Sequence, residues 1–235
     1  MNQVIRLMKR IALSPLFWII TICSSIFFLE NSDLSNYFLI SDFATNFPSL
    51  SLSGQYYRLL TSLFLHTGIT HLVSNMFLLI ILTWVVSPII SKALYLSLLL
   101  LSGVLGNLLA DVLIVSLVNS DGNYWSFLTT FGYSHGIVGL STSITGLYIF
   151  TLIIFVFKTS KDLPQKKFRL SALIFVSFIG ILSLILNFIW GQWFTITAYV
   201  HFFGGLVGGM LAFIFLYRQH KKLPQFTIQV QHPDD

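Results

Sequence analysis

The chain has 235 residues, of which 55% are hydrophobic and only 9% are charged, and its formal net charge is +5. A soluble domain carries about 25% charged residues, so this composition excludes a soluble globular protein and indicates an integral membrane protein. The single cysteine, Cys23, excludes a disulfide within the chain.

Six predominantly apolar stretches are long enough to cross a bilayer as helices. The first, at about 12–30, is too long for a typical signal peptide and no small-residue cleavage site follows it, so we interpret it as a retained helix. The others are predicted at about 69–89, 93–117, 138–157, 170–189 and 198–217. The sequence therefore predicts an all-α, polytopic membrane protein, with one domain over 1–235 that ends in a short cytoplasmic tail at 218–235.

The positive charges have a strongly uneven distribution. Twelve of the 13 Lys and Arg residues lie before helix 1, after helices 2 and 4, and in the tail, and Arg58 is the exception. This is the pattern of a protein whose basic loops face the cytoplasm. It predicts a multi-pass protein of the cell membrane with both termini cytoplasmic, and it accounts for the net charge without a nucleic-acid partner.

Polar side chains at membrane depth are costly and mark candidate functional sites. With the N-terminus inside, helices 2, 4 and 6 all run from outside to inside. His71 and Asn75, Ser141 and His201 then lie in the first turns of these three helices, roughly 5–9 Å below the outer surface at 1.5 Å rise per residue. His71 and Asn75 are four residues apart and share one helix face.

This convergence predicts a catalytic site. Gly204 and Gly208 give helix 6 a groove that another helix backbone can approach, and we expect Gly139 and Ser141 of helix 4 to pack there. A serine needs an adjacent base to become a nucleophile, and His201 supplies one. His71 and Asn75 are then candidate donors to an oxyanion.

Less specific interpretations exist for the same residues. Small and hydroxylated residues in membrane helices mostly serve helix packing, which alone explains a run such as 139–146. Asn107 and Asp111 on helix 3 are expected to make helix-to-helix hydrogen bonds, and His66 is expected to be a structural loop residue. The histidines lack the carboxylate or thiol complement of a zinc site, so no metal or other cofactor is expected.

Four motifs resemble the rhomboid family of intramembrane serine proteases, and they follow one another in the family's order over about 57–217. They are Tyr57-Arg58, His66-x4-His71-x3-Asn75, Gly139-x-Ser141 and His201-x2-Gly204-x3-Gly208. The resemblance implies a six-helix rhomboid-like bundle in which Ser141 is the nucleophile and His201 the general base. It also implies an oxyanion site made of the backbone N–H of Ser141 with the side chains of His71 and Asn75.

The implied activity is hydrolysis of peptide bonds in or near transmembrane segments of single-pass or multi-pass membrane proteins, within the lipid bilayer. In the family, the loop after helix 1 enters the outer leaflet, and helix 5 with the following loop controls substrate access. These regions correspond here to 31–58 and roughly 170–197.

The chain departs from the family pattern at three positions. Thr142 stands where the family usually has Gly, so its side chain is expected to crowd the oxyanion site or to replace a donor. Thr145 stands where an aromatic ring usually stacks on the catalytic histidine, and Phe202 or Phe203 are candidate replacements. Tyr57 replaces the usual Trp.

Two other functions are compatible with a helical membrane protein of this kind. A catalytically inactive rhomboid-like protein that binds transmembrane segments would have the same fold, and the presence of both Ser141 and His201 argues against it. A small-solute transporter would show paired repeats with broken helices, and the sequence has no convincing internal repeat.

Overall fold

The computed structural model describes residues 14–31, 38–121, 136–157, 165–189 and 196–221. Six long helices lie in these ranges: α1 (Pro15–Glu30), α2 (Ile69–Val86), α3 (Lys92–Asp121), α4 (Ser141–Phe157), α5 (Lys166–Ile189) and α6 (Ile196–Lys221). Three of them, α2, α3 and α6, are long and apolar enough to cross a membrane, and α1 and α4 are apolar but shorter. The predicted all-α, polytopic membrane fold is confirmed.

Some helices begin or end at other residues than the hydropathy pattern predicts. α3 continues to Asp121 through a polar last turn, because a helix can extend past the hydrocarbon boundary that hydropathy detects. α4 begins only at Ser141, since the residue at Gly139 has a positive φ that interrupts a helix. The tail beyond Lys221 lies outside the described residues.

The loop between α1 and α2, here called loop 1, folds into three short helices at Phe38–Ala44, Pro48–Leu52 and Arg58–Thr61. The Arg58 guanidinium holds its first part in place, donating to the carbonyl oxygens of Asp42 at 2.6 Å and Thr45 at 2.7 Å. These bonds satisfy backbone groups that no regular element pairs. Arg58 is therefore a structural cation inside loop 1.

Asp111 of α3 anchors loop 1 to the bundle. Its carboxylate is fully buried and accepts hydrogen bonds from the Asn46 amide at 3.0 and 3.1 Å and from the Ser51 hydroxyl at 2.5 Å. A buried carboxylate persists only when such donors replace its hydration. The expectation that Asp111 joins elements by hydrogen bonds agrees with this arrangement, although its partners lie in loop 1 and not on another long helix.

The segment just before α4 is also attached to loop 1. Asn46 and Ile137 exchange two backbone hydrogen bonds, of 3.2 and 2.8 Å, as an isolated antiparallel bridge. Two residues later, the Gly139 N–H donates to the Ser62 carbonyl oxygen at 2.9 Å. Loop 1 thus fixes the path by which the chain reaches Ser141.

α4 and α6 cross with their backbones in direct contact. A Cβ atom placed on Gly204 would collide with the Thr142 carbonyl group, and one on Gly208 would lie 2.6 Å from the Gly146 Cα. Helices approach this closely in membranes through small residues, because no hydrophobic force draws them together. The prediction that Gly204 and Gly208 form the contact agrees with the structure, but the expected partners on α4 were wrong. Thr142 and Gly146 fill the groove.

α3 joins the same contact through two glycines that the sequence interpretation missed. A Cβ atom on Gly106 would lie 2.9 Å from both the nitrogen and the Cα of Gly204, and 2.7 Å from the Thr142 methyl group. A Cβ atom on Gly103 would collide with the Ser143 hydroxyl. Three helices therefore meet around the first turns of α4.

Polar contacts attach α5 to the bundle, in addition to the packing of Leu173 and Val176 in the core. Arg169, near its start, donates to the carbonyl oxygens of Trp84 and Val85 at the end of α2, and its guanidinium lies 4.5 Å from the Trp84 ring centroid. A cation is stabilised at a helix C-terminus and over an indole face. Further along α5, the Ser177 hydroxyl lies 2.6 Å from the Tyr148 hydroxyl of α4.

We predict that Gly204→Ala lowers the stability of the protein by about 1–3 kcal/mol, because the added methyl group meets backbone atoms that cannot move aside. The measurement is thermal unfolding in mild detergent. Gly209→Ala is the matched control on the same helix, since a Cβ atom there makes only ordinary contacts of 3.5 Å with two isoleucine side chains. Equal midpoints for the two variants would contradict the backbone contact.

Candidate active site

The hydroxyl of Ser141 and the imidazole of His201 are in hydrogen-bond contact. Ser141 is the first residue of α4, and its Oγ lies 2.8 Å from Nε2 of His201. In this geometry the ring nitrogen can accept the serine proton, which is the requirement for a serine nucleophile. The two predicted residues are therefore brought together. His201 lies in the second turn of α6, not in the first as expected, because α6 begins at Ile196.

Helix crossing sets this distance. His201 precedes Gly204 by three residues, so both lie on the side of α6 that faces α4. Because Gly204 lies against the backbone of Thr142, the next residue after Ser141, the crossing point is one turn from the His201 side chain. The glycines thus determine how closely the imidazole approaches the hydroxyl.

The turn before Ser141 places His71 and Asn75 beside it. Gly139 has a φ of 109°, a left-handed conformation that favours glycine. A Cβ atom on Gly139 would lie 2.7 Å from Cε1 and 2.8 Å from Nε2 of His71, and 3.4 Å from Nδ2 of Asn75. Both predicted donor side chains therefore lie against this turn, and Gly139 has no space for a larger residue.

His71 has a polar partner on the ring edge opposite Gly139. The Thr67 hydroxyl lies 3.2 Å from Nδ1, which leaves Nε2 directed at the turn before Ser141. Thr67 was not predicted as a site residue. Its position four residues before His71, just ahead of α2, is the signal that could have identified it.

His66 packs edge-on against His71, with 5.1 Å between the ring centroids. Burial, followed by repulsion from a charged His71, lowers the pKa of His66 to about 4, although the backbone of Phe64 opposes this shift. His66 is therefore neutral at neutral pH. It supports the His71 ring without placing a positive charge beside it.

Asn75 presents an amide donor to the same turn. Its side chain is only 4% exposed, and within the described part of the chain its Nδ2 has no hydrogen-bond partner. Buried polar groups are nearly always paired in native structures, so an unpaired donor calls for an explanation. Its position against Gly139 makes Nδ2 available to an acceptor that forms at Ser141.

The N-terminus of α4 adds backbone donors. The Ile144 N–H donates to the Leu140 carbonyl oxygen at 2.9 Å and begins the helical hydrogen bonds. The N–H groups before it, which include that of Ser141, have no acceptor within the helix and lie at the positive end of its dipole. This end of α4 therefore favours negative charge.

The side chain of Thr142 points away from this site, contrary to the expectation that it would crowd it. Thr142 is almost fully buried, its methyl group lies between Gly106 and Gly204, and its hydroxyl donates to Oδ1 of Asn107 at 3.3 Å. Consecutive residues at a helix start point in different directions, so the Thr142 side chain does not follow that of Ser141. It fills the contact between α3, α4 and α6. Only its backbone borders the site.

Asn107 links that contact to loop 1. Its Nδ2 lies 3.3 Å from the Leu59 carbonyl oxygen and 3.4 Å from the Ser62 hydroxyl, which are long hydrogen bonds. Its other amide atom accepts the bond from Thr142. Asn107 thus joins α3, α4 and loop 1, as its interpretation as a hydrogen-bonding residue predicts.

The Thr145 side chain bonds within its own helix, and it supplies no ring that could stack on His201. The Thr145 hydroxyl donates to the Ser141 carbonyl oxygen at 2.9 Å, and its methyl group faces Gly205. Phe202 is 65% exposed and packs on Phe203. Among the described residues, no aromatic ring stacks on His201, so the suggested replacement by one of these phenylalanines is not supported.

These observations define a polytopic helical membrane protein with a serine–histidine pair where two glycine-packed helices cross. A model of the rhomboid domain matches residues 53–218, which is more than half of the chain. The chain belongs to the rhomboid family, and the resemblance inferred from the four motifs is confirmed. No match to the chain was found among curated proteins.

We predict that Thr142→Val costs about 1 kcal/mol of stability, because it keeps the packed methyl group but leaves the Asn107 oxygen without a donor. Thermal unfolding in detergent measures this loss. Thr151→Val is the matched control, since among the described residues the Thr151 hydroxyl bonds to the Leu147 carbonyl oxygen of its own helix and to no other group. A smaller loss for Thr142→Val than for Thr151→Val would contradict the contact with Asn107.

Proposed function

We propose that this chain is an intramembrane serine protease that hydrolyses peptide bonds in or near transmembrane segments of membrane proteins. The observation that carries the proposal is the 2.8 Å contact between Oγ of Ser141 and Nε2 of His201. Membership of the rhomboid family supports the same reaction class. The substrates are single-pass or multi-pass membrane proteins, and the medium is the lipid bilayer of the cell membrane.

His201 is the general base of the first step. Its Nε2 takes the Ser141 proton as Oγ attacks the scissile carbonyl carbon, and a tetrahedral oxyanion forms. The imidazolium then returns the proton to the leaving amine, which yields an acyl-enzyme. In the second half of the reaction, His201 takes a proton from a water molecule, which hydrolyses the ester of the acyl-enzyme and frees Ser141.

The oxyanion is stabilised from two sides. The Ser141 backbone N–H donates from the N-terminus of α4, and the side chains of His71 and Asn75 donate across Gly139. The Thr67 contact is compatible with this role of His71: the hydroxyl can donate to Nδ1, and the ring proton is then on Nε2, which faces the site. Asn75 supports the oxyanion site because its Nδ2 has no hydrogen-bond partner among the described residues.

Charge and loop structure suggest how a substrate meets this site. The basic loops orient both termini toward the cytoplasm, so the proposed site lies nearer the outer surface. Loop 1 fixes the chain before Ser141 on one side of the site. Access is then proposed past α5. Among the described residues, Ser177 of α5 makes a hydroxyl contact with Tyr148 of α4.

A catalytically inactive rhomboid-like protein that binds transmembrane segments is the second candidate. The observation that favours it is the absence, among the described residues, of an aromatic ring stacked on His201. A freely rotating imidazole would support catalysis poorly. The direct bond to Ser141 argues for the enzyme, since it holds the ring in the position that proton transfer needs.

We predict that a fluorophosphonate probe labels the purified wild-type protein in detergent and that Ser141→Ala and His201→Ala each abolish the labelling. The first variant lacks the nucleophile and the second lacks its base. Thr151→Val, a buried threonine further along α4, should label like the wild type and controls for folding. Labelling that persists in Ser141→Ala, or none in the wild type together with no cleavage of a model transmembrane substrate, would favour the inactive candidate.

We predict that Asn75→Ala lowers kcat by about 100-fold or more, because one preorganised oxyanion donor is removed. KM should change little, since the donor acts on charge that develops only in the transition state. Val73→Ala, an exposed side chain on the same helix, is the matched control. Equal kcat values for the two variants would remove Asn75 from the oxyanion site.

A further inference from the structure

A cavity of about 530 Å³ lies between α1, α3 and the start of α4, and the proposed chemistry does not use it. Its walls are almost entirely hydrocarbon, with side chains such as Trp18 and Ile22 from α1 and Leu96 and Leu100 from α3. Its volume falls within the range of about 300–1,000 Å³ that small-molecule sites occupy. Lining side chains such as Trp18 and Leu100 are 53% and 41% exposed, so the cavity opens at the surface of the helix bundle.

One end of the cavity is positively charged. Lys92, the first residue of α3, lines this end and is exposed. The α3 N-terminus adds the positive end of a helix dipole at the same place. The charge pattern of the sequence places this end at the cytoplasmic surface, where anionic lipid headgroups attract basic residues.

The other end reaches the residues on either side of Ser141. Leu140 and Ser143 line it. Ser143 is fully buried, and its hydroxyl has no hydrogen-bond partner within the described residues. From Lys92 to Leu100 the cavity follows α3 for about 12 Å, at 1.5 Å per residue. It therefore runs from the charged end of α3 toward the start of α4.

We propose that this cavity binds one acyl chain of an anionic phospholipid, with the phosphate at Lys92 and the end of the chain beneath Leu140. A transmembrane helix, about 10–12 Å across, is too wide for a cavity of this volume along 12 Å of α3, whereas a single hydrocarbon chain fits. The cationic end matches a phosphate, and the apolar walls match the chain. This proposal does not depend on catalysis by Ser141.

The test measures lipid binding by native mass spectrometry on delipidated, full-length protein in mild detergent. The probes are phosphatidylglycerol and phosphatidylcholine with identical palmitoyl chains, so that only the headgroup differs. The wild type should prefer phosphatidylglycerol by about fivefold, the effect of one lysine near a membrane surface. Lys92→Gln should remove this preference while phosphatidylcholine binding stays unchanged.

Leu100→Trp tests the cavity itself. Leu100 and Leu101 are 41% and 42% exposed, but only Leu100 lines the cavity, so Leu101→Trp is the matched control. An indole that displaces two methylene groups of the chain should weaken binding of both lipids about tenfold. Leu101→Trp should bind both lipids like the wild type. If Leu100→Trp unfolds, Ile22→Trp makes the same test from the α1 wall.

Three results would overturn the proposal. Equal affinities in Leu100→Trp and Leu101→Trp would place the bound lipid elsewhere on the protein surface. If Lys92→Gln still prefers phosphatidylglycerol, the phosphate does not bind at Lys92. If Leu100→Trp instead loses binding of a transmembrane peptide while lipid binding is unchanged, the cavity is a site for a protein segment.

Discussion

The backbone contact between α4 and α6 is the constraint on which the rest of the molecule depends. Within the bilayer no hydrophobic force holds helices together, so their separation is set by what the facing surfaces allow. Gly204 and Gly208 let α6 reach the α4 backbone at Thr142 and Gly146, and Gly106 brings α3 to the same point. The hydrogen bond of Ser141 with His201 follows from this geometry, because each side chain is within one turn of the crossing.

A second set of contacts, joined to the first through Asn107, positions the chain that precedes the serine. Loop 1 is held by Asp111 and in turn holds the chain before α4 through the bridge at Asn46 and the bond from Gly139 to Ser62. The left-handed turn at Gly139 lies against the side chains of His71 and Asn75. Loop 1 therefore positions the turn that precedes Ser141, whereas the helix crossing positions the Ser141 hydroxyl against His201.

Hydropathy, charge and short motifs predicted the six helices and the four residues of the candidate site, which are His71, Asn75, Ser141 and His201. These predictions were possible because the length of apolar runs, the position of basic residues and the spacing of glycines can be read directly from a sequence. The same signals could not predict that Thr142 points into the α3–α6 contact or that Gly103 and Gly106 complete it. Helices that are apolar all round show little preference for one face, so their rotation about their own axes is decided only by packing. The resemblance implied that loop 1 enters the outer leaflet, but its bonds to Asp111 join residues sixty or more positions apart, which no local pattern records.

The attachment of α5 has a mechanical consequence. Arg169 fixes the start of α5 to the last carbonyl groups of α2, whereas Ser177, about 12 Å further along, is held to Tyr148 by a single bond between hydroxyls. Leu173 and Val176, in the same part of α5, also pack in the apolar core. A tilt of α5 about Arg169 by about 10° would move Ser177 by roughly 2 Å, given 1.5 Å of rise per residue. A shift of this size breaks the hydroxyl bond and disturbs the core packing at the same time, so both contacts resist rotation of α5 about its start.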